Sequence, residues 1–154
     1  MRRRFVEEAP EQQRQRREIQ WTLFEIHHFL VRLLFNGHSV RVWLDGGFLT
    51  HKDWARPSDI DVVYLVPVEV FDRALSERGL ALWTLHDVHA KLGRGGPSEE
   101  IEVLRPGFGF IDAYIAPDTP VNRATWADQW STVKGPDGHV TEDRKGFVEV
   151  IENV

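Results

Sequence analysis

Three aspartates and a pair of glycines are the residues whose types and spacing suit chemistry. Asp59 and Asp61 open the run Asp59-Ile60-Asp61-Val62-Val63-Tyr64-Leu65-Val66. In a β-strand alternate side chains share a face, so the two carboxylates stand side by side. Two acids at the mouth of an apolar strand repel each other, and a cation or shared protons must neutralise them. An oxygen-only ligand set selects a hard cation such as Mg²⁺, with Mn²⁺ as the near alternative. A bare Asp-x-Asp is common, and a solvated strand start accounts for many such pairs. The flanks sharpen this one. Upstream, Val40–Leu44 is an apolar strand closed by Asp45-Gly46-Gly47, and Asp59 follows Gly47 by 12 residues. Glycines at that point let backbone amides approach an anion closely. A third acid, Asp112, sits alone in Phe108–Ala116, FGFIDAYIA. Alternation puts it on one face with Phe108, Phe110 and Tyr114, and puts Ile111, Ala113 and Ile115 on the other. A paired structural carboxylate is the plain account of Asp112; a metal carboxylate is the chemical one, with Glu102 as its competitor.

These residues need elements to hold them. Ile19, Leu23, Ile26, Leu30 and Leu33 recur at helical steps and predict one inward face of a helix from Pro10 to Asn36. Asn36-Gly37 suits its end. Residues 40–44 and 60–66 read as strands, with residues 46–58 as the glycine turn and its loop. Val68–Arg78 reads as a helix with Val70, Phe71, Ala74 and Leu75 inward, closed by Gly79. Leu80–Thr84 suggests a short strand and Leu85–Leu92 a helix. On that helix His86 and His89 would share a face, although no carboxylate pattern completes a metal site. His27 and His28 read as ordinary surface histidines of the first helix. Residues 93–100 form a loop without the lysine and hydroxyl of a phosphate-binding loop. Ile101–Leu104 is a strand edge. A helix runs from Asn122 or Thr125 through Trp130, Lys134–His139 turns, and Phe147–Ile151 ends the chain as a strand or short helix. No internal repeat is visible.

Composition narrows the class. The 154 residues suit a single domain, 1–154, with residues 1–9 loosely ordered. Hydrophobic residues are 42% and charged residues 28%, as in globular domains. The absence of cysteine excludes disulfides and thiol chemistry and fits a cytoplasmic setting. No apolar run approaches a membrane span, so no membrane partner is expected. A net charge of −5 opposes generic polyanion binding. Arg2, Arg3, Arg4, Arg14, Arg16 and Arg17 crowd the start of the chain. They read as a solvated segment, with an RNA-contacting arm as the alternative.

The stretch Leu44-Asp45-Gly46-Gly47-Phe48-Leu49-Thr50-His51-Lys52, followed by Pro57-Ser58-Asp59-Ile60-Asp61-Val62-Val63, resembles the nucleotidyltransferase superfamily with the polymerase-beta-like core. It is more narrowly similar to small bacterial and phage members of that superfamily with an L-D-G-S-F…D-I-D pattern. Gly47 replaces their usual serine. The segment from Trp126 through Lys145-Gly146 to Ile151 is similar to their tail, by less specific motifs. The resemblance implies an α/β (α+β) fold: a mixed, twisted sheet of about four or five strands with helices packed on one face, the acids on the other, and a long N-terminal helix. It implies that Asp59, Asp61 and Asp112 bind Mg²⁺ and are catalytic, with Asp112 nearest the attacking hydroxyl. Gly46 and Gly47 would give the nucleoside triphosphate room. Thr50, His51, Lys52 and Arg56 are the loop's phosphate candidates, the cations first because their charge complements it. The implied reaction moves a nucleotide from an NTP such as ATP to a hydroxyl of RNA, a protein or a small molecule, in a setting such as a toxin–antitoxin pair or a phage. A catalytically weak nucleotide- or protein-binding module on the same fold is the alternative, and a metal-dependent phosphohydrolase is a third option.

Overall fold

The structure is a computed structural model and describes residues 1–51, 55–91, 95–96, 98–134 and 139–150. Helix α1 spans Glu11–Leu34, and strand β1, Arg41–Asp45, follows it. A 3-10 turn at Gly47–Leu49 leads through the loop to β2, Ile60–Val66. The chain then makes a 3-10 helix at Val68–Leu75, a short helix α2 at Glu77–Leu80, and the strands β3, Leu85–Lys91, and β4, Ser98–Leu104. Strand β5, Ile111–Pro117, and helix α3, Pro120–Ser131, come next. Strands β6, Thr132–Lys134, β7, Val140–Arg144, and β8, Val148–Val150, complete the described chain.

The fold is α/β with a mixed sheet of four strands in the order β5-β2-β1-β8. Strand β1 is antiparallel to β2 and to β8, while β2 and β5 run parallel. Strand β2 is central and buried along its length, which is why its sequence is nearly all apolar. Strands β3 and β4 form a separate two-stranded sheet, as do β6 and β7.

Alternation along these strands makes two cores. One face carries Val42, Leu44, Ile60, Val62, Tyr64, Ile111 and Ala113 and packs with Trp21, Phe24 and Val31 of α1. The other carries Trp43, Val63 and Leu65 and packs with Trp130, flanked by Trp126 of α3. Helices therefore cover both faces, not one as expected. The reason is that β1 and β2 present large apolar side chains in both directions, and a bare second face would leave Trp43, Val63 and Leu65 in water.

The face of α1 also departs from the sequence reading. Ile19, Ile26, Leu30 and Leu33 are exposed. The buried positions are instead Gln13, Arg17, Gln20, Trp21, Phe24, His27 and Val31. Buried polar groups need partners, and the loop beneath α1 supplies them. Arg17 donates to the carbonyls of Phe5 (3.1 Å), Phe48 (2.6 Å) and Thr50, and to Gln13 Oε1 (3.1 Å). Burial lowers its pKa. Gln20 Nε2 donates to Pro57 O (3.2 Å) and Ser58 O (3.0 Å), and Arg16 donates to the same two carbonyls at 2.7 and 2.9 Å. Arg16 and Arg17 thus serve as a latch on the loop, not as part of a solvated arm.

Residues 1–9, expected to be loose, include a π-helical turn at Arg3–Glu7 that buries Phe5 and Val6 in the first core. His27 is a buried core residue, not a surface one. Nε2 lies 2.7 Å from Leu82 O, which can only accept, so Nδ1 is left to accept from Tyr64 Oη at 3.1 Å. Burial lowers its pKa. Residues 85–91 form a strand where a helix was expected, because pairing with β4 uses the hydrogen-bonding capacity of a segment whose local pattern is ambiguous. His86 is opposite Val103 and His89 opposite Glu100, so they do not stack on a helix face. Leu80 ends α2 and residues 81–83 turn, where a short strand was expected, and Val68–Leu75 is 3-10 with Leu75 exposed.

Candidate active site

The acids meet at one end of the sheet. Register pairs Asp45 with Asp61 across β1 and β2, and Asp61 with Asp112 across β2 and β5. The three are therefore neighbours on three adjacent strands, on the face that α3 covers further along. Asp59 precedes β2 by one residue and joins them. Its position is held from both sides: Arg16 and Gln20 grip the carbonyls before it, and Ile60 N donates to Phe110 O at 2.9 Å. Asp112 thus lies beside the Asp-x-Asp pair. Glu102 sits exposed on β4 in the other sheet.

Each acid has its own setting. Asp112 accepts from Thr84 Oγ1 at 2.7 Å and from Tyr114 Oη at 3.1 Å. Thr84 is itself fixed, since Ala113 N donates to its hydroxyl at 3.0 Å and its own N–H donates to Ala113 O. Tyr114 stays protonated, its pKa pushed to about 12 by burial and by Asp112. Arg105, one residue past β4, places Nε 3.5 Å from Asp112 Oδ2 and 3.7 Å from Asp59 Oδ2. Lys145 Nζ donates to the buried Asp45 at 2.6 Å. Ser58 Oγ donates to Asp59 Oδ1 at 2.7 Å.

Asp61 is the acid under most stress. Burial raises its pKa first, then the charges of Asp59, Asp112 and Asp45, to about 7, with Lys145 pulling the other way. Four carboxylates face two cations here, so two negative charges are left over when all are ionised. That surplus and the oxygen-only donor chemistry fit a hard divalent cation. Among the described residues, however, no three such groups are already gathered as a ligand cage. Arg105 and Lys145 occupy the acids in the structure.

Gly46 explains its place in the chain. Its φ of 86° and ψ of −171° belong to glycine, and an added Cβ would lie 1.7 Å from Asp61 Oδ2. The room it provides is taken by the Asp61 carboxylate. Gly47 differs, because its Cβ would stand 3.7 Å from the nearest atom, in Pro57, an ordinary contact. Thr50 turns its hydroxyl back to Gly47 O at 2.9 Å, His51 meets the Phe5 ring edge-on, and Arg56 is exposed. Lys52 lies outside the described residues.

Asp45, Thr84, Arg105, Tyr114 and Lys145 are the site residues that sequence reasoning missed. Asp45 carried a legible signal, a lone acid ending an apolar strand, the same argument that found Asp112. Arg105 comes from a distant segment with no local pattern to mark it, and Lys145 stood out only within the tail motif, with no site role attached.

Residues 1–151 match one family along nearly the whole chain. The chain belongs to DUF6932, a family of unknown function. No curated protein and no solved structure matches it. Among the described residues no helix is long and apolar enough to cross a membrane.

Proposed function

We propose that this DUF6932 member is a nucleotidyltransferase that joins a nucleoside monophosphate from an NTP to an acceptor hydroxyl. The observation that carries the reading is the register of Asp61 with both Asp45 and Asp112 beside a glycine whose missing side chain makes room for a carboxylate. The motif residues that resemble the superfamily's acids and glycine turn are the same residues that meet in space.

In this reading Asp59, Asp61 and Asp112 hold Mg²⁺, or Mn²⁺ in its place. The ion supplies charge neutralisation and polarisation at the phosphates. Asp61, near neutrality as a free group, gives up its proton to take part. Asp112 is oriented by Thr84 and Tyr114 and accepts the proton of the acceptor hydroxyl. That oxygen forms a bond to the α-phosphorus, the bond from α-phosphorus to the bridging oxygen breaks, and pyrophosphate leaves. Arg105, displaced from Asp59 and Asp112, provides a cation at the site for the triphosphate. Gly47 leaves backbone room for it. The acceptor is RNA, a protein or a small molecule, in a cytoplasmic toxin–antitoxin or phage setting.

The test is incubation with each α-labelled NTP, Mg²⁺ and total RNA or protein lysate. Label transferred to a macromolecule by the wild type and abolished in Asp61→Ala supports the reading. Substantial turnover by a folded Asp61→Ala protein removes Asp61 from the mechanism, and release of free phosphate alone identifies a phosphohydrolase.

The ion pairs of Arg105 and Lys145 favour a second reading, a binding module whose acids are neutralised from within. It predicts no Mg²⁺-dependent thermal shift with ATP, CTP, GTP or UTP.

A further inference from the structure

Helix α1 has two faces that both look like cores. Arg17, Phe24 and Val31 follow one another at seven-residue intervals and are buried, Arg17 on the loop and Phe24 and Val31 in the first core. Ile19, Ile26 and Leu33 repeat at the same interval on the opposite side, with Phe29 and Leu30 among them, and these five are between 43% and 59% exposed. A single exposed apolar side chain is ordinary, but a row of five along one helix marks an interaction surface. A seven-residue repeat with Phe29 between Ile26 and Leu33 is the spacing of a helix–helix seam.

We propose that α1 pairs with α1 of a second copy of this chain, antiparallel, about a two-fold axis near His27 and His28. The charges and the apolar positions choose this occupant together. When Ile26 of one copy lies beside Phe29 of the other, the same register sets Leu23 against Leu30 on one edge of the seam. On the other edge it sets the exposed Glu25 against the exposed Arg32. By symmetry each contact occurs twice, so the face is complementary to itself, as a two-fold interface requires. A parallel pairing would instead set Glu25 beside Leu30 of the other copy and lose the Glu25–Arg32 contacts.

A groove of about 810 Å³ widens the contact beyond a single helical strip. It is lined by Phe29, Arg32 and Leu33 of the seam, and by Phe35, Val40 and Arg41 next to them. It lies at the end of α1 over which an antiparallel partner carries the first half of its own helix. The groove lies at the Arg41 end of β1, and the seam runs along the side of α1 that faces away from the sheet. The acids lie at the Asp45 end and on the face of the sheet away from α1, so pairing leaves them open. An interface built on one helix per copy is at the small end of stable interfaces, which sets dissociation on the order of micromolar.

Sedimentation of the full chain across the micromolar range tests this, with circular dichroism to confirm folding of the variants. The wild type should pass from monomer to dimer. Glu25→Arg and Arg32→Glu, each a surface change away from the acids, should weaken the dimer about tenfold or more, because each creates two like-charge contacts. The double variant Glu25→Arg/Arg32→Glu should restore it. A monomer throughout overturns the proposal. So does a dimer indifferent to the single reversals, or one that the double variant does not restore, since a different face, register or partner would then own the seam. None of these outcomes bears on nucleotidyl transfer.

Discussion

Replacing Gly46 with alanine tests the link between the glycine turn and the acids. The backbone at Gly46 has φ 86° and ψ −171°, a region that residues with a Cβ avoid at a cost of about 1–3 kcal/mol. The new methyl carbon would also stand 1.7 Å from Asp61 Oδ2 and 2.8 Å from Asp61 Cγ. Both distances are far inside van der Waals contact. Either Asp61 leaves its rotamer or the turn moves, at about 1–3 kcal/mol more. The variant should lose about 2–6 kcal/mol in urea denaturation, while Gly47→Ala, with an ordinary 3.7 Å contact to Pro57, should stay within about 0.5 kcal/mol of wild type. A double-mutant cycle with Asp61→Ala separates the two causes. Without the carboxylate, Gly46→Ala should cost only the backbone share, giving a coupling of about 1–3 kcal/mol. Zero coupling, or equal stability of the two alanine variants, would refute the packing of Asp61 against Gly46.

Asp61→Asn should change how stability responds to pH. Burial and the neighbouring acids push the folded Asp61 carboxyl up to about 7 from its ordinary 3.8, so between those pH values the folded protein holds a proton there that the unfolded chain has released. Stability from this group is fully present below pH 4, falls as pH rises, and is lost by pH 7, by up to about 4 kcal/mol. Denaturation curves of Asp61→Asn should be flatter over this window and should exceed wild type at pH 8; parallel curves would contradict the raised pKa. Arg105→Gln removes the cation between Asp59 and Asp112. Mn²⁺ binding, read by electron paramagnetic resonance without nucleotide, should tighten about tenfold, and weaker binding would mean that Arg105 does not compete for these acids. Arg17→Met should destabilise the protein by about 3–5 kcal/mol, because carbonyls of Phe5, Phe48 and Thr50 lose their donor. A loss below about 1 kcal/mol in urea denaturation would show that the latch on the loop is dispensable.

Much of the frame was legible from the chain alone. Strand β2 matched its expected bounds because an apolar run between a polar loop and Pro67 has few other places to go. The long first helix was equally plain. Asp59 and Asp61 stood out because strand alternation, a local rule, sets them on one face, and Asp112 because it is a lone acid in an apolar run.

What remained hidden depended on distant partners. The periodicity of α1 marks two faces, one apolar and one mixed, and the apolar one looks like the core. The mixed face won because the loop from Phe48 to Ser58 has carbonyls that need donors, and Gln13, Arg17 and Gln20 supply them. Strand β3 has a pattern that suits either helix or strand, and β4 decided it. Arg105 and Lys145 reach the acids only once the sheet is assembled.

The sequence by itself determined which side chains share a face on β1, β2 and β5, because that follows from backbone geometry over neighbouring residues. Only the tertiary structure decided which faces are buried and which cations answer which acids. Burial and charge pairing are set by hydrogen-bond and electrostatic demands of segments far apart in the chain.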